Sequence, residues 1–250
     1  MAAIATSPLK HTALHHQHLA LGAAMVGDGG WRRPERYRPA EEELKAVREG
    51  VGLCDISPVG KLDLKGKQIA PVFESLFSLR DLPQIGRVKR MTLSHPDSAS
   101  GTEVSCCRLV NDHVLLLTEP GALAEVEQAL THLVQATDDC AHLTNLTSAL
   151  AAVQLVGRTS RELLQKLTAF DLSPRRFVDL TCAQGGVAKV HALVARADLG
   201  PQLAYEIYCG REFGEYLWDT LRDAGQEFGA VPFGVATQRV LRMEKDSEPK

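Results

Sequence analysis

Between Val88 and Thr118 the chain reads as three strands with little between them, at residues 88–93, 103–109 and 113–118. Asn111-Asp112 turns the last strand directly back on the one before it. Parallel neighbours need a crossover of about a dozen residues or more, so this block specifies an antiparallel sheet. The turn-rich stretch 94–101 reads as a surface loop.

Single helices and further short strands flank the block. Pro39 and the acids Glu41-Glu42-Glu43 open a helix that runs to about Glu49, with Gly50 past its end. Residues 53–56 read as a short strand. From Lys61 to Lys65, Leu62 and Leu64 alternate with charges, the pattern of a half-buried strand. Ile69, Val72, Phe73 and Leu76 fall at helical spacing, as do Leu123, Val126, Leu130 and Leu133 in a helix over about 121–135. Residues 143–146, 153–156, 187–195 and 205–209 read as strands. Thr159-Ser160 starts a helix to Leu167, and helices near 212–223 and 233–244 end the pattern. At the other end, residues 14–25 read as helical until Gly27-Asp28-Gly29-Gly30 and Trp31 to Pro34 break them. Adjacent strands mixed with single helices make an α+β chain with mixed, largely antiparallel sheets.

The charge balance, 28 Lys plus Arg against 31 Asp plus Glu, lacks the basic excess of a nucleic-acid binder. No apolar run is long enough to cross a membrane as a helix. The N-terminus has neither a secretory h-region nor Arg-rich transit character. The six cysteines form no C-x-x-C pair, and Cys106 and Cys107 point to opposite faces of one strand. They read as reduced, mostly buried thiols of a cytoplasmic protein.

Motif spacing excludes several chemistries. Gly60 to Gly66 places five residues between its glycines, one too many for a phosphate-binding loop. Gly185-Gly186 lacks the dinucleotide fingerprint, and no G-x-S-x-G or H-E-x-x-H occurs. His11 and His15 would share a helix face, but the cluster with His16 and His18 has no carboxylate or cysteine beside it, so no metal is expected. Asp55, Glu103, Glu206 and Glu244 are titratable candidates among which spacing does not choose.

Three stretches together carry more. They are Thr12 to Ala23 followed by Trp31, Arg33-Pro34 and Tyr37; Ala46 to Ser57 running on to Gly60-Lys61-Leu62-Asp63-Leu64-Lys65-Gly66; and Val240-Leu241-Arg242-Met243-Glu244-Lys245. In this order they resemble the folate-binding family of the glycine cleavage T-protein (aminomethyltransferase), most closely the T-protein-like half of the sarcosine oxidase α subunit. Leu155-Val156-Gly157-Arg158 and Leu203-Ala204-Tyr205-Glu206-Ile207 support the match, which covers nearly the whole chain.

The resemblance implies two lobes, residues 1–58 with 146–250 and residues 59–145, and a central funnel for tetrahydrofolate. It implies a tetrahydrofolate-binding, aminomethyltransferase-like enzyme that passes a one-carbon unit from an amine donor to the folate. The family's acidic pair falls on Thr102 and Glu103, making Glu103 the catalytic candidate. The pterin-holding Glu falls on Gln202, and an Asn after the following strand falls on Thr118. With Glu206, Arg242 and Glu244, these form the implied folate-binding set. The Lys-Gly-Cys-Tyr-x-Gly-Gln-Glu signature of iron–sulfur assembly relatives is absent.

The alternative is a non-catalytic folate-binding or scaffold subunit of an oxidase-type or one-carbon assembly. The family's further β-barrel domain would follow the Leu-Arg-x-Glu helix, where five residues remain after Lys245. The expectation is therefore an exposed apolar lining along 233–243, covered by self-association or by a partner subunit that supplies a barrel.

Overall fold

Two large sheets face each other, and the chain crosses between them at residues 56–59 and again at 146–149. The structure, a computed structural model, describes residues 9–67, 69–77, 82–95, 98–136 and 141–246. The first large sheet holds five antiparallel strands in the order β6 (Val88–His95), β7 (Ser98–Val110), β8 (His113–Thr118), β5 (Gly60–Gly66) and β9 (Ala141–Asn145). The second runs β11 (Cys182–Val187), β12 (Val190–Arg196), β13 (Ala204–Gly210), β10 (Leu150–Val156), β4 (Gly52–Asp55) and β14 (Val231–Pro232). It is antiparallel except where β14 lies parallel to β4. A small third sheet joins β1 (Lys10–His11), β2 (Ala24–Asp28) and β3 (Trp31–Arg36).

Strand alternation gives each large sheet two apolar faces. On β8, Val114 and Leu116 pack on α3 (Ile69–Phe77) and α4 (Leu123–Gln135), whereas Leu115 and Leu117 face the other sheet. On β10, Val153 and Leu155 pack on α5 (Ser160–Leu167) and α6 (Gly214–Gly225), while Ala152 and Val156 face inward. The result is four layers: helices, sheet, sheet, helices. Each fully buried Leu or Val in them contributes about 1.5–3 kcal/mol relative to exposure. Cys106 and Cys107 divide between the two faces of β7, and all five described cysteines are free and buried; Cys140 lies outside the described residues. No described helix is long and apolar enough to cross a membrane. Helices α2 (Ala40–Glu49) and α7 (Val235–Asp246) pack together beside β3 and β14.

Several expectations change. Residues 14–25 hold a short α1 (His15–Ala20) and then begin a hairpin. Gly29 and Gly30, at φ +55° and +80°, make its turn, so the apparent helix breaker joins β2 to β3. The strand expected at 187–195 begins only at Val190: β12 folds back on an unanticipated β11 at Ala188 and Lys189, whose φ of +50° and +66° would ordinarily call for Asn or Gly. The loop expected at 94–101 is mostly strand, with residues 96–97 outside the described set. The apolar side of 233–243 is largely covered, since Phe233 and Leu241 are buried in the inter-sheet core and Met243 is the member left 61% exposed.

Two of the three charges on the charged side of β5 do not meet water, while Lys65 at its end is exposed. Lys61 and Asp63 point toward the second sheet and are buried. Asp63 bonds His113 and lies 2.8 Å from Lys65. Lys61 sits where both chain crossings meet. Its Nζ donates to the carbonyls of Ser57 (2.6 Å) and Val59 (2.9 Å) on one and of Thr147 (3.4 Å) on the other. Its backbone N–H donates to Thr147 Oγ1 at 3.0 Å.

A second buried polar group ties α1 to the second sheet. His18 Nε2 donates to Asp55 Oδ2 at 2.9 Å, and its Nδ1 meets the Tyr37 hydroxyl at 2.8 Å. The tautomer is assigned from the acceptor-only carboxylate. The Ser57 N–H donates to Asp55 Oδ1 at 2.9 Å. Burial alone would raise Asp55, but the His18 and Ser57 bonds bring it down to about 2. His11 and His15 stack with ring centroids 3.9 Å apart, and the described residues contain no cluster suited to a metal.

Candidate functional site

Period-two alternation brings one set of polar side chains into the space between the large sheets. On β13, Glu206 and Tyr208 share the inward face, and Gln154 of β10 pairs directly opposite Glu206. From the facing sheet come Arg90 of β6 and Glu103, Ser105 and Cys107 of β7, with Val88 opposite Cys107 and Arg90 opposite Ser105. Thr118 ends β8, Glu119 follows it, and Arg242 reaches in from α7. Together with apolar Val59, Leu117, Leu180 and Leu199, these groups line a cavity of about 310 Å³, at the lower end of small-ligand sites.

The electrostatics are mixed. Glu206 receives the Tyr208 hydroxyl on Oε2 at 2.7 Å and Gln154 Nε2 on Oε1 at 3.3 Å. Burial raises its carboxyl above the usual range, against the Tyr208 bond and the charges of Arg242 and Arg90. Burial, with Glu206 beside it, holds the Tyr208 phenol well above its ordinary value. Arg242 is paired with Glu119. Glu103, whose side chain is 70% exposed, stands at the mouth with Oε1 4.0 Å from Arg90 Nε. Thr118 Oγ1 donates to the Glu103 carbonyl at 3.3 Å. Cys107, on the cavity wall, is held up by its hydrogen bond with Cys182 and by burial, so it is a poor nucleophile.

Of the residues singled out from the sequence, Glu103, Thr118, Glu206 and Arg242 thus meet at one cavity. Gln202 and Glu244 do not reach it. Gln202 lies in a tight turn that pairs its backbone with Leu199. Glu244 is two residues from Arg242, about 200° around the helix, and turns outward to Arg48. Tyr208, Gln154, Arg90 and Glu119 were missed; for Tyr208 the signal was present, two residues beyond Glu206 on the same strand.

A family model described as the GCVT N-terminal domain matches residues 14–247. The chain belongs to that family. An aminomethyltransferase of Anoxybacillus flavithermus is 28% identical over 238 residues, covering 94% of this chain and 64% of the relative. A sarcosine oxidase subunit alpha of Corynebacterium sp. strain U-96 is 31% identical over 255 residues, covering 95% of this chain and 26% of that one. The chain therefore spans less than two thirds of either relative's length. The solved glycine cleavage system aminomethyltransferase T of Bartonella henselae has the same fold, with a TM-score of 0.81 at 19% identity over 94% of this chain and 62% of that one. In the GCVT fold, as here, mixed and antiparallel sheets pack with helices.

Proposed function

We propose that this GCVT-family domain binds tetrahydrofolate between its large sheets and serves the transfer of a one-carbon unit from an amine donor to it. The observation that carries this reading is the convergence of Glu103, Thr118, Glu206 and Arg242 on one cavity in a chain of this family. The donor set fits. An ionised Glu206, already oriented by Tyr208 and Gln154, can accept a pair of N–H groups such as a pterin's amide edge presents. Arg90 and Arg242 supply positive charge for an acidic tail. Leu117, Leu180 and Leu199 pack against an aromatic ring system and keep water from it. When bound, tetrahydrofolate supplies the amine that takes up the one-carbon unit. Glu103 at the mouth is the carboxylate available to hold or take a proton there.

Glu103→Gln is expected to lower the rate of tetrahydrofolate-dependent one-carbon transfer about tenfold or more, as measured by the methylene group gained by the folate. An unchanged rate would remove Glu103 from the chemistry. Its 70% exposure favours a second reading, a folate-binding subunit without catalysis, in which wild type binds folate but transfers nothing. One relative is described as a heterotetrameric sarcosine oxidase, and the proposal includes a partner subunit or self-association for this chain.

A further inference from the structure

Glu206 is the inner end of a chain of hydrogen bonds that, beyond Gln154, the folate reading does not use. Gln154 Nε2 donates to Glu206 Oε1 at 3.3 Å. Gln238 Nε2, from α7, donates to Gln154 Oε1 at 3.2 Å. Arg33 Nη2, from β3, donates to Gln238 Oε1 at 3.3 Å. Arg33 is itself fixed by Asp28 Oδ2 at 2.6 Å, and Asp28 Oδ1 takes Arg239 at 3.0 Å. Arg33, Gln238 and Gln154 are all buried, so water does not compete for the Arg33–Gln238 and Gln238–Gln154 bonds.

The two ends of the chain decide its direction. A guanidinium has donors and no acceptor, and an ionised carboxylate has acceptors and no donor. Each amide between them has one end of each kind. Turning either amide over would set oxygen against oxygen or N–H against N–H, so Arg33 and Glu206 together admit one arrangement of both glutamines. That arrangement presents an N–H to Glu206, and Tyr208 presents an O–H to its other oxygen. The lone pairs left over are available to the cavity.

We propose that Arg33, Gln238 and Gln154 are positioning residues that hold Glu206 as an oriented, ionised acceptor for a ligand edge carrying paired N–H donors. The inference rests on the folate reading for the ligand's name alone. Burial works against ionisation, and low local polarity strengthens a polarised chain that opposes it. The other groups facing Glu206 come from every neighbouring element: Tyr208 on its own strand, Arg90 on β6, Glu103 and Cys107 on β7, Glu119 after β8, and Arg242 on α7. Neither Gln238 nor Arg33 lines the cavity, so replacing them leaves those groups in place.

The test follows Glu206 itself in ligand-free protein, through its ¹³C-labelled side-chain carboxyl resonance, assigned by its loss in Glu206→Gln. Gln238→Leu breaks the chain without adding charge and is expected to raise the Glu206 titration midpoint by about one pH unit, a tenfold change in proton affinity. Arg33→Met is expected to raise it in the same direction and serves as the readout if Gln238→Leu loses its folded spectrum. Tetrahydrofolate affinity should fall in parallel near neutral pH. A midpoint unchanged in a folded variant overturns the proposal. A shifted midpoint in a protein that binds no folate sinks the folate reading and leaves the positioning role standing.

Discussion

Replacing Lys61 with methionine is expected to lower the unfolding free energy by about 2–4 kcal/mol, read from the denaturant midpoint at unchanged slope. Methionine keeps most of the side-chain volume, so the loss reports hydrogen bonds more than a cavity. Exchanging a buried ion for an apolar side chain is often neutral when both partners leave together. Here the partners stay. The carbonyls of Ser57, Val59 and Thr147 would lose a donor at the two places where the chain passes between its sheets. Burial brings the Lys61 ammonium down to about 8, from 10.5 unfolded. Between those values the unfolded chain holds a proton that the folded one has released, so the Lys61 contribution to stability rises as pH rises through that window. The thiols of Cys54, Cys106 and Cys209, raised by burial, act oppositely from about pH 8.5, and Tyr37 and Tyr208, raised likewise, from about pH 10, their usual values unfolded. The Lys61 contribution should therefore be read as the difference in unfolding free energy between wild type and Lys61→Met, which should shift in favour of wild type from pH 8 to about 9.5. A variant as stable as wild type would mean that Lys61 does not join the crossings.

Asp55→Ala should cost about 3–5 kcal/mol, because it strands His18 inside the protein with one ring nitrogen unpaired. The wild-type pair also sets an acid limit. With Asp55 at about 2 folded against 3.8 unfolded, its contribution is present above pH 3.8 and is lost as pH falls through 2, below which both states are protonated. Acid unfolding followed by circular dichroism should show this dependence in wild type and a flatter one in Asp55→Ala. Equal acid profiles would remove the pair from the stability of the fold.

Lys61 and Asp55 also mark where sequence reading ends. The antiparallel block was legible because the Asn111-Asp112 turn leaves its neighbouring strands no room for a crossover. Helix α2 was legible from Pro39, the three acids and Gly50. Alternation over Lys61–Lys65 correctly indicated a strand, yet period two separates faces without saying what covers them; here the second sheet covers Lys61 and Asp63 of the charged one. The turn at Ala188-Lys189 carries no turn residue, so the strand at 187–195 reads through it, and β11 before it was not read. His18 and Asp55 are 37 positions apart, and no local pattern joins them. The candidate site came from the resemblance, since spacing had not chosen among the carboxylates. What the structure adds is direction: β13 turns Glu206 and Tyr208 inward, whereas the helix that turns Arg242 inward turns Glu244 away.

The most direct measurement is anaerobic calorimetric titration of the intact chain with tetrahydrofolate, beside Glu206→Gln at matched pH. Saturable binding is expected for wild type. The variant should bind about 10–100-fold more weakly, the equivalent of losing a charge-assisted hydrogen bond inside the cavity. Folded wild-type protein that takes up no tetrahydrofolate, or a Glu206→Gln variant that binds it equally well, would contradict folate binding between the two sheets.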